Sequence, residues 1–351
     1  MDGISLNSLR QRIGCWLHER WKTELVLNAP SVANQFGLSW LDLCNRSERL
    51  VKDTVTGGRY CDWQDSSKLT VTRLFPRVSQ RLFHHCNNLF PISFTEQDPT
   101  KGTPLLSFVV GVRGLNRAAQ FEASISSMLS QLGIPTEVIV VEQGTKSEYA
   151  HRIPAGVRHK LLLLKEESLP YNRSWGLNVG VRMARGRYVA LMDADMLIPE
   201  DFACECVRVL DKGLEAIRPV RFIFYLSRED SAIVQRTRTV DAVEHIECVV
   251  HNAPNPIVIQ RDAYLRIGGH DESFYGWGGE DNEFIDRMRT LKIGESGFLP
   301  IAHLWHETAS RDADVGNFLS QKRLLAPKVR IEKLAHTNFG SEAPQHDWCR
   351  P

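Results

Sequence analysis

Gly186-Arg-Tyr-Val-Ala-Leu-Met-Asp-Ala-Asp195 is a short apolar run that stops on two carboxylates separated by one residue. Bounded by a glycine and by acids, Gly186 to Met192 reads as a buried strand. It is the fourth strand of a regular series. Leu105 to Val112 is the first, followed by an amphipathic helix over Arg117 to Leu132. Thr136 to Val141 and His159 to Leu164 supply the second and third, and Asn172 to Ala184 a further helix. Short apolar strands alternating with helices imply an α/β fold whose mostly parallel sheet is covered on both faces. In such sheets ligands gather beyond the carboxyl ends of the strands. Attention therefore falls on Arg113 to Arg117, on Glu142-Gln-Gly144 and on Asp193-Ala-Asp195.

The bulk properties narrow the field. The 351 residues carry 43 Lys and Arg against 42 Asp and Glu, so no global field advertises nucleic acid as a partner. Met1-Asp-Gly-Ile-Ser lacks the basic and apolar regions of a signal peptide, and no apolar run approaches the ~18–20 residues of a membrane span. Eight cysteines at 15, 44, 61, 86, 204, 206, 248 and 349 form no CxxC pair. Reduced thiols fit a cytoplasmic setting.

Residues 1–103 differ in character, and a mainly helical extension of unassigned role is expected there, with one helix over Leu6 to Leu25. The linker Asp98 to Pro104 leads to the α/β domain over 104–325, and 326–351 reads as a tail. Between Ser66 and Thr95 there is no acid, while Lys68, Arg73, Arg77, Arg81, His84 and His85 occur. A solvated basic face explains this, and peripheral membrane contact through 68–85 is the alternative.

Two carboxylates at i and i+2 beyond a strand can reach one hard cation, Mg²⁺ or Mn²⁺, together with substrate phosphates. Ala302-His-Leu-Trp-His306, after an expected strand Glu295 to Leu299, offers imidazoles. Histidines at i and i+3 of an extended segment diverge, so one ligand is expected, His306 ahead of His303. Further along, Phe274-Tyr-Gly-Trp-Gly-Gly-Glu-Asp-Asn-Glu-Phe284 places Glu280 and Asp281 in the first turn of a helix with an apolar stripe at Phe284, Ile285, Met288 and Leu291. Dipole-friendly acids are common there. The flanking Gly276, Gly278 and Gly279 instead suggest a loop that moves or is closely approached, with Trp277 as a lid. An ionised first-turn carboxylate suits a general base. Arg113, Arg117 and Arg173 sit near strand ends and suit phosphate, and Glu142 suits a base or ribose.

Taken together, Arg113…Asn116-Arg117, Glu142, Asn172-Arg173…Asn178-Val-Gly180, Asp193-Ala-Asp195 and Gly276-Trp-Gly-Gly-Glu-Asp-Asn282 resemble a GT-A-fold glycosyltransferase. The likeness is to the β1,4-galactosyltransferase family and to bacterial family 2 and chondroitin-polymerase-type transferases. It implies a mixed sheet, a nucleotide-sugar donor (UDP), a glycan or other hydroxyl acceptor, and Mn²⁺ or Mg²⁺. Position by position, Asp195 would ligate the metal, with Asp193 nearer the ribose or donor sugar. Asp281 would be the base, with Glu280 on sugar hydroxyls and Trp277, Gly278 and Gly279 at the acceptor. Arg113, Arg117, Arg173 and Glu142 would face the nucleotide, and His306 would complete the metal shell. Asn282 stands where the galactosyltransferases carry a third acid, and His303 where they carry a methionine ligand.

The resemblance further implies a single displacement with inversion. Galactose, glucose, glucuronic acid and both N-acetylhexosamines remain open as donors. A nucleotidyltransferase would need a glycine-rich phosphate loop, which Gly111-Val-Arg-Gly-Leu-Asn116 does not supply. A catalytically idle carbohydrate- or nucleotide-binding module is the other alternative. Lacking a membrane anchor, the chain is expected to be cytoplasmic or membrane-associated.

Overall fold

The computed structural model describes residues 6–62, 66–97, 102–276, 278–307 and 315–343. Its centre is a seven-stranded sheet in the spatial order Ile293–Gly294, Ala216–Ile217, Ile257–Gln260, Tyr188–Met192, Leu106–Val112, Thr136–Gly144, Arg158–Leu163. The last four of these strands run parallel, and Ile257–Gln260 is antiparallel to both of its neighbours. The expected mixed, mostly parallel sheet is therefore present. Its strands are apolar nearly throughout because both faces are covered. Leu106 to Val110 and Tyr188 to Met192 are all buried. Helices Ala118–Leu129 and Arg173–Met183 fall within a few residues of the expected positions.

Register decides what meets at the carboxyl end. Val110 stands opposite Met192 and Val112 opposite Glu142, so Asp193, Arg113 and Glu142 all leave the same edge. Helix Arg173–Met183 lies tight on this sheet: a Cβ on Gly180 would come within 2.3 Å of Val109 Cγ1. Only glycine permits that approach.

A second sheet of five strands runs Ser67–Lys68, Ile246–His251, Val220–Leu226, Leu299–His303, Met196–Leu197. The strand expected over Glu295 to Leu299 is displaced to Leu299–His303. The reason is pairing: residues 299–303 find ladders on both sides, parallel to Val220–Leu226 and antiparallel to Met196–Leu197. Gly297 instead bridges to Arg59 in the N-terminal region.

The described residues before 98 form several helices and three short strands, and they share a core with this second sheet. Helical backbone runs from Leu6 to Asn28, with helices Thr70–Leu74 and Pro76–Leu89 after it. Val78, Leu82 and Phe83 pack with Phe222, Phe224 and Val249. Buried Arg221 donates to the carbonyls of Leu41 (2.9 Å) and Leu43 (2.6 Å). No helix among the described residues is long and apolar enough to cross a membrane.

One buried ion network anchors the helix Glu280–Met288. Glu283 accepts from Arg287 Nε (2.8 Å) and from Arg330 Nη1 (2.9 Å), and all three side chains are buried. Residues 326–335 are thereby tied to the domain by helix Pro327–Ala335. Truncating Glu283 to Ala takes their shared carboxylate from two buried guanidinium groups, leaving Arg287 its bond to Ile267 O and Arg330 a 3.5 Å contact with Asp286. The expected loss of stability is about 3–5 kcal/mol, read as a lower urea midpoint at unchanged m-value.

Candidate active site

Two clusters face the carboxyl edge of the large sheet, and one arginine lies between them. In the first, Asp195 is buried and accepts from Arg117 Nη1 at 2.9 Å through Oδ2. His306 Nε2 lies 3.3 Å from the same oxygen, and His303 Nε2 lies 3.4 Å from Oδ1. The two imidazoles do not diverge as an extended segment would require. The strand ends at His303, which pairs in register with Met196, so the ring is fixed one residue from Asp195. The chain then turns, Leu304 N donates to Asp195 O at 2.9 Å, and His306 comes back to the same carboxylate. Tyr225 stacks on His303 at 4.4 Å between ring centres and sets its plane.

Asp195, His303 and His306 form the one group of three metal-ligating side chains found among the described residues. Buried Asp195 Oδ1 and His303 Nδ1 have no hydrogen-bond partner, and an unsatisfied carboxylate oxygen beside two imidazoles suits a divalent cation. Burial pushes the His303 imidazole below its ordinary value despite the pull of Asp195, favouring the neutral form that ligates. Asp193 stands outside this group and turns toward Arg173.

The second cluster is built on Asp281. Arg173 Nε donates to Asp193 Oδ1 (2.8 Å) and its Nη1 donates to Asp281 Oδ1 (2.7 Å). The guanidinium thus bridges the strand-end acid and the helix-start acid. Asn255 Nδ2 donates to Asp281 Oδ2 at 2.5 Å, and His270 Nε2 lies 3.8 Å from Oδ1. Burial alone would raise the Asp281 carboxyl; Arg173, His270 and Asn255 outweigh it and hold it well below the carboxylate range. Its neighbour Glu280 moves the other way, raised by burial and then by the Asp281 charge. Adjacent acids are thereby split into one ionised and one inclined to keep its proton.

Helix Arg173–Met183 welds the halves together. Asn172 caps it through Trp175 N (2.9 Å) and donates to Glu272 O (2.7 Å). Asn178 donates to His270 O and to Glu272 Oε1, both at 2.8 Å, and accepts from Tyr264 OH at 2.6 Å. His270 is buried, stacked on Phe284 at 4.1 Å, with Nδ1 3.0 Å from Tyr264 OH. The segment before the acids is therefore held on the same helix that carries Arg173. Gly278 and Gly279 take left-handed backbone at φ 111° and 88°, and a Cβ on Gly279 would press to 3.0 Å from Phe274 and Val315. Close approach and backbone handedness both call for glycine. Trp277 lies outside the described residues.

Other expected site residues stand apart from these clusters. Arg113 donates to the carbonyls of Leu169 and Glu167 and braces that loop. Glu142 is buried, accepting from Ser147 Oγ (2.7 Å) and Tyr149 N (3.2 Å), with His159 Nε2 at 2.8 Å. Arg117 is the arginine that reaches the metal-ligating cluster. Sequence reasoning missed Asn255 and His270. Gly268-Gly269-His270, only four residues before Phe274, was a signal that could have drawn notice; Asn255, between Pro254 and Pro256, gave none.

Residues 107–295 match the family model described as glycosyltransferase like family 2. The chain belongs to that family. This glycosyltransferase is similar to human chondroitin sulfate N-acetylgalactosaminyltransferase 2, with 26% identity over 195 residues, 52% of this chain and 34% of the relative. The same enzyme of Mus musculus gives 26% over 196 residues, with the same coverage. The match thus spans about a third of the length of these curated relatives. Among solved structures it is similar to the mannosyltransferase PcManGT of Pyrobaculum calidifontis in complex with GDP-Man and Mn2+. That likeness has TM-score 0.40 and 15% identity, covering 73% of this chain and 81% of that one. It is also similar to the catalytic domain of Drosophila β1,4-galactosyltransferase 7 in complex with xylobiose, with TM-score 0.35 and 14% identity, covering 62% and 79%.

Proposed function

We propose that this glycosyltransferase moves a sugar from a nucleotide donor, UDP by the sequence resemblance, to a glycan hydroxyl with inversion, Asp281 acting as general base. The observation that carries this reading is the bridge Asp193–Arg173–Asp281, which ties the donor-side strand end to a carboxylate held ionised. An acceptor hydroxyl must lose its proton as it attacks, and a carboxylate that stays charged at neutral pH is ready to take it. Asp281 Oδ1 and Oδ2 each accept one protein hydrogen bond, leaving each a further lone pair for substrate.

Asp195, His303 and His306 would hold the divalent cation, Mn²⁺ or Mg²⁺. That cation would supply charge stabilisation for a leaving nucleoside diphosphate. Arg117, 41% exposed at the side chain while bonded to Asp195, can add a second positive contact there. Glu280 would contact sugar hydroxyls beside Asp281, and Gly278 and Gly279 would let the acceptor come near the backbone.

The curated relatives carry N-acetylgalactosaminyltransferase in their name, so UDP-N-acetylgalactosamine heads the panel of donors to try, with a glycosaminoglycan-type acceptor. The test is nucleoside diphosphate release from a set of nucleotide sugars with and without Mn²⁺. Metal-dependent release with one UDP-sugar supports the reading. No release with any donor, or equal release in chelator, would sink it.

A further inference from the structure

The helical backbone Leu6–Asn28 buries one side and leaves a second apolar side in solvent. Cys15, Glu19, Thr23 and Val26 are buried, whereas Leu9, Ile13, Trp16, Leu17 and Trp21 are exposed. The first four of these exposed residues are spaced four, three and one apart, which sets them on one helical side. Trp16–Arg20 forms a π turn. Trp21, five residues beyond Trp16 and four beyond Leu17, continues the stripe across this π turn. Trp16 is 53% exposed and Leu17 56%. Two half-exposed tryptophans on one helix are not explained by the core.

The charge around this stripe has one sign. Among the exposed residues from 9 to 37 there is no acid. Glu19 is buried, and Glu24 accepts from Arg20 (3.3 Å) and Arg81 (2.8 Å). Arg12 and Arg20 lie over the Phe75 ring at 5.7 and 4.2 Å, which seats the helix against the acid-free segment. Exposed Arg73 and Arg77 flank Phe75 on that seam, and exposed Arg10 lies on the helix itself.

We propose that this face docks on an anionic lipid surface, with Leu9, Ile13, Trp16, Leu17 and Trp21 entering the interface and Arg10, Arg73 and Arg77 meeting headgroups. An apolar, tryptophan-bearing helix side rimmed by basic residues matches interfacial helices. Tryptophan suits the boundary because its ring is apolar and its N–H polar. Basic residues near an anionic surface add electrostatic attraction that falls off within a Debye length. The clusters around Asp195 and Asp281 take no part, so the proposal is independent of the donor and metal.

The test is co-sedimentation of the full chain with phosphatidylcholine vesicles with or without phosphatidylglycerol. Binding to the anionic vesicles alone, weakened by added salt, is expected. The double variant Trp16→Ser/Trp21→Ser should weaken it about tenfold or more. Arg73→Glu/Arg77→Glu, which keeps the apolar stripe, should do likewise. Sugar transfer in free solution should be unchanged in both, which also reports that they fold. Absence of vesicle binding, equal binding to neutral vesicles, or binding indifferent to both variants would overturn the proposal. So would a concentration-dependent dimer that Trp16→Ser/Trp21→Ser dissociates, because a second copy would then cover the face.

Discussion

Replacing Asp281 with Asn is expected to lower kcat by about 10²- to 10⁴-fold, the range that a positioned general base contributes, while donor affinity stays close to wild type. The substitution keeps the size of the side chain and an oxygen for Arg173, so the Asp193–Arg173 contact at 2.8 Å should survive. What disappears is the charge proposed to accept the proton. Calorimetric titration of the donor separates binding from turnover, and near-wild-type turnover would dismiss Asp281 as the base. The pH profile gives a second handle. Because Arg173, His270 and Asn255 together overcome burial and hold Asp281 below its ordinary value of 3.8, the acid limb of kcat/KM should lie below the usual carboxylate range. Arg173→Met removes the cation that favours the ionised form, so the Asp281 pKa rises and the acid limb moves to higher pH. The same linkage bears on stability. A carboxyl whose folded pKa is depressed contributes stability above its unfolded value, and that contribution is lost as pH falls through the folded one. An acid limb that stays in place in Arg173→Met would mean that Arg173 does not hold Asp281 ionised.

Replacing Asp195 with Asn is expected to lower transfer by about 10²- to 10³-fold, comparable to removing one preorganised electrostatic contact to a developing charge, and to erase stabilisation by Mn²⁺. The carboxylate is the member of the cluster that brings negative charge, and His303 and His306 both lie within 3.4 Å of it. Neutralising it leaves two imidazoles and one weak oxygen. A ligand that binds only the folded state raises the unfolding temperature. Wild type should therefore show a Mn²⁺-dependent thermal shift that the variant lacks, with or without a nucleotide. His306→Ala should fall between the two, since Asp195 and His303 remain. An undiminished Mn²⁺ shift in Asp195→Asn would place the ion elsewhere.

The parts of the fold that were legible share a physical origin. Strands such as Leu106–Val112 and Tyr188–Met192 are buried on both faces, so their apolar runs announce themselves without any partner. The second sheet was not legible, because its strand Leu299–His303 is placed by ladders to residues about 80 and 105 positions earlier in the chain. That displacement carries directly into the site. A strand ending at Leu299 leaves His303 and His306 in an extended segment, where they diverge; the strand ending at His303 lets them converge on Asp195.

Residue types and short spacings by themselves determined that a mostly parallel sheet delivers acids to its carboxyl edge, that Asp281 opens a helix after a glycine-rich loop, and that 66–95 carries no negative charge. These are local facts of hydrophobic period, backbone freedom and composition. Only the tertiary structure decided how the acids are used. Asp193 and Asp195 are two residues apart, a spacing that would put both on one face of a strand, yet one faces Arg173 and the other two histidines, because the strand ends at Met192 and the chain turns over Ala194 and Asp195. Asn255 and His270 surround Asp281 through contacts that no spacing encodes. Ionisation is a property of such surroundings, so the adjacent acids Glu280 and Asp281, alike in sequence, part company only once burial and Arg173 are in place.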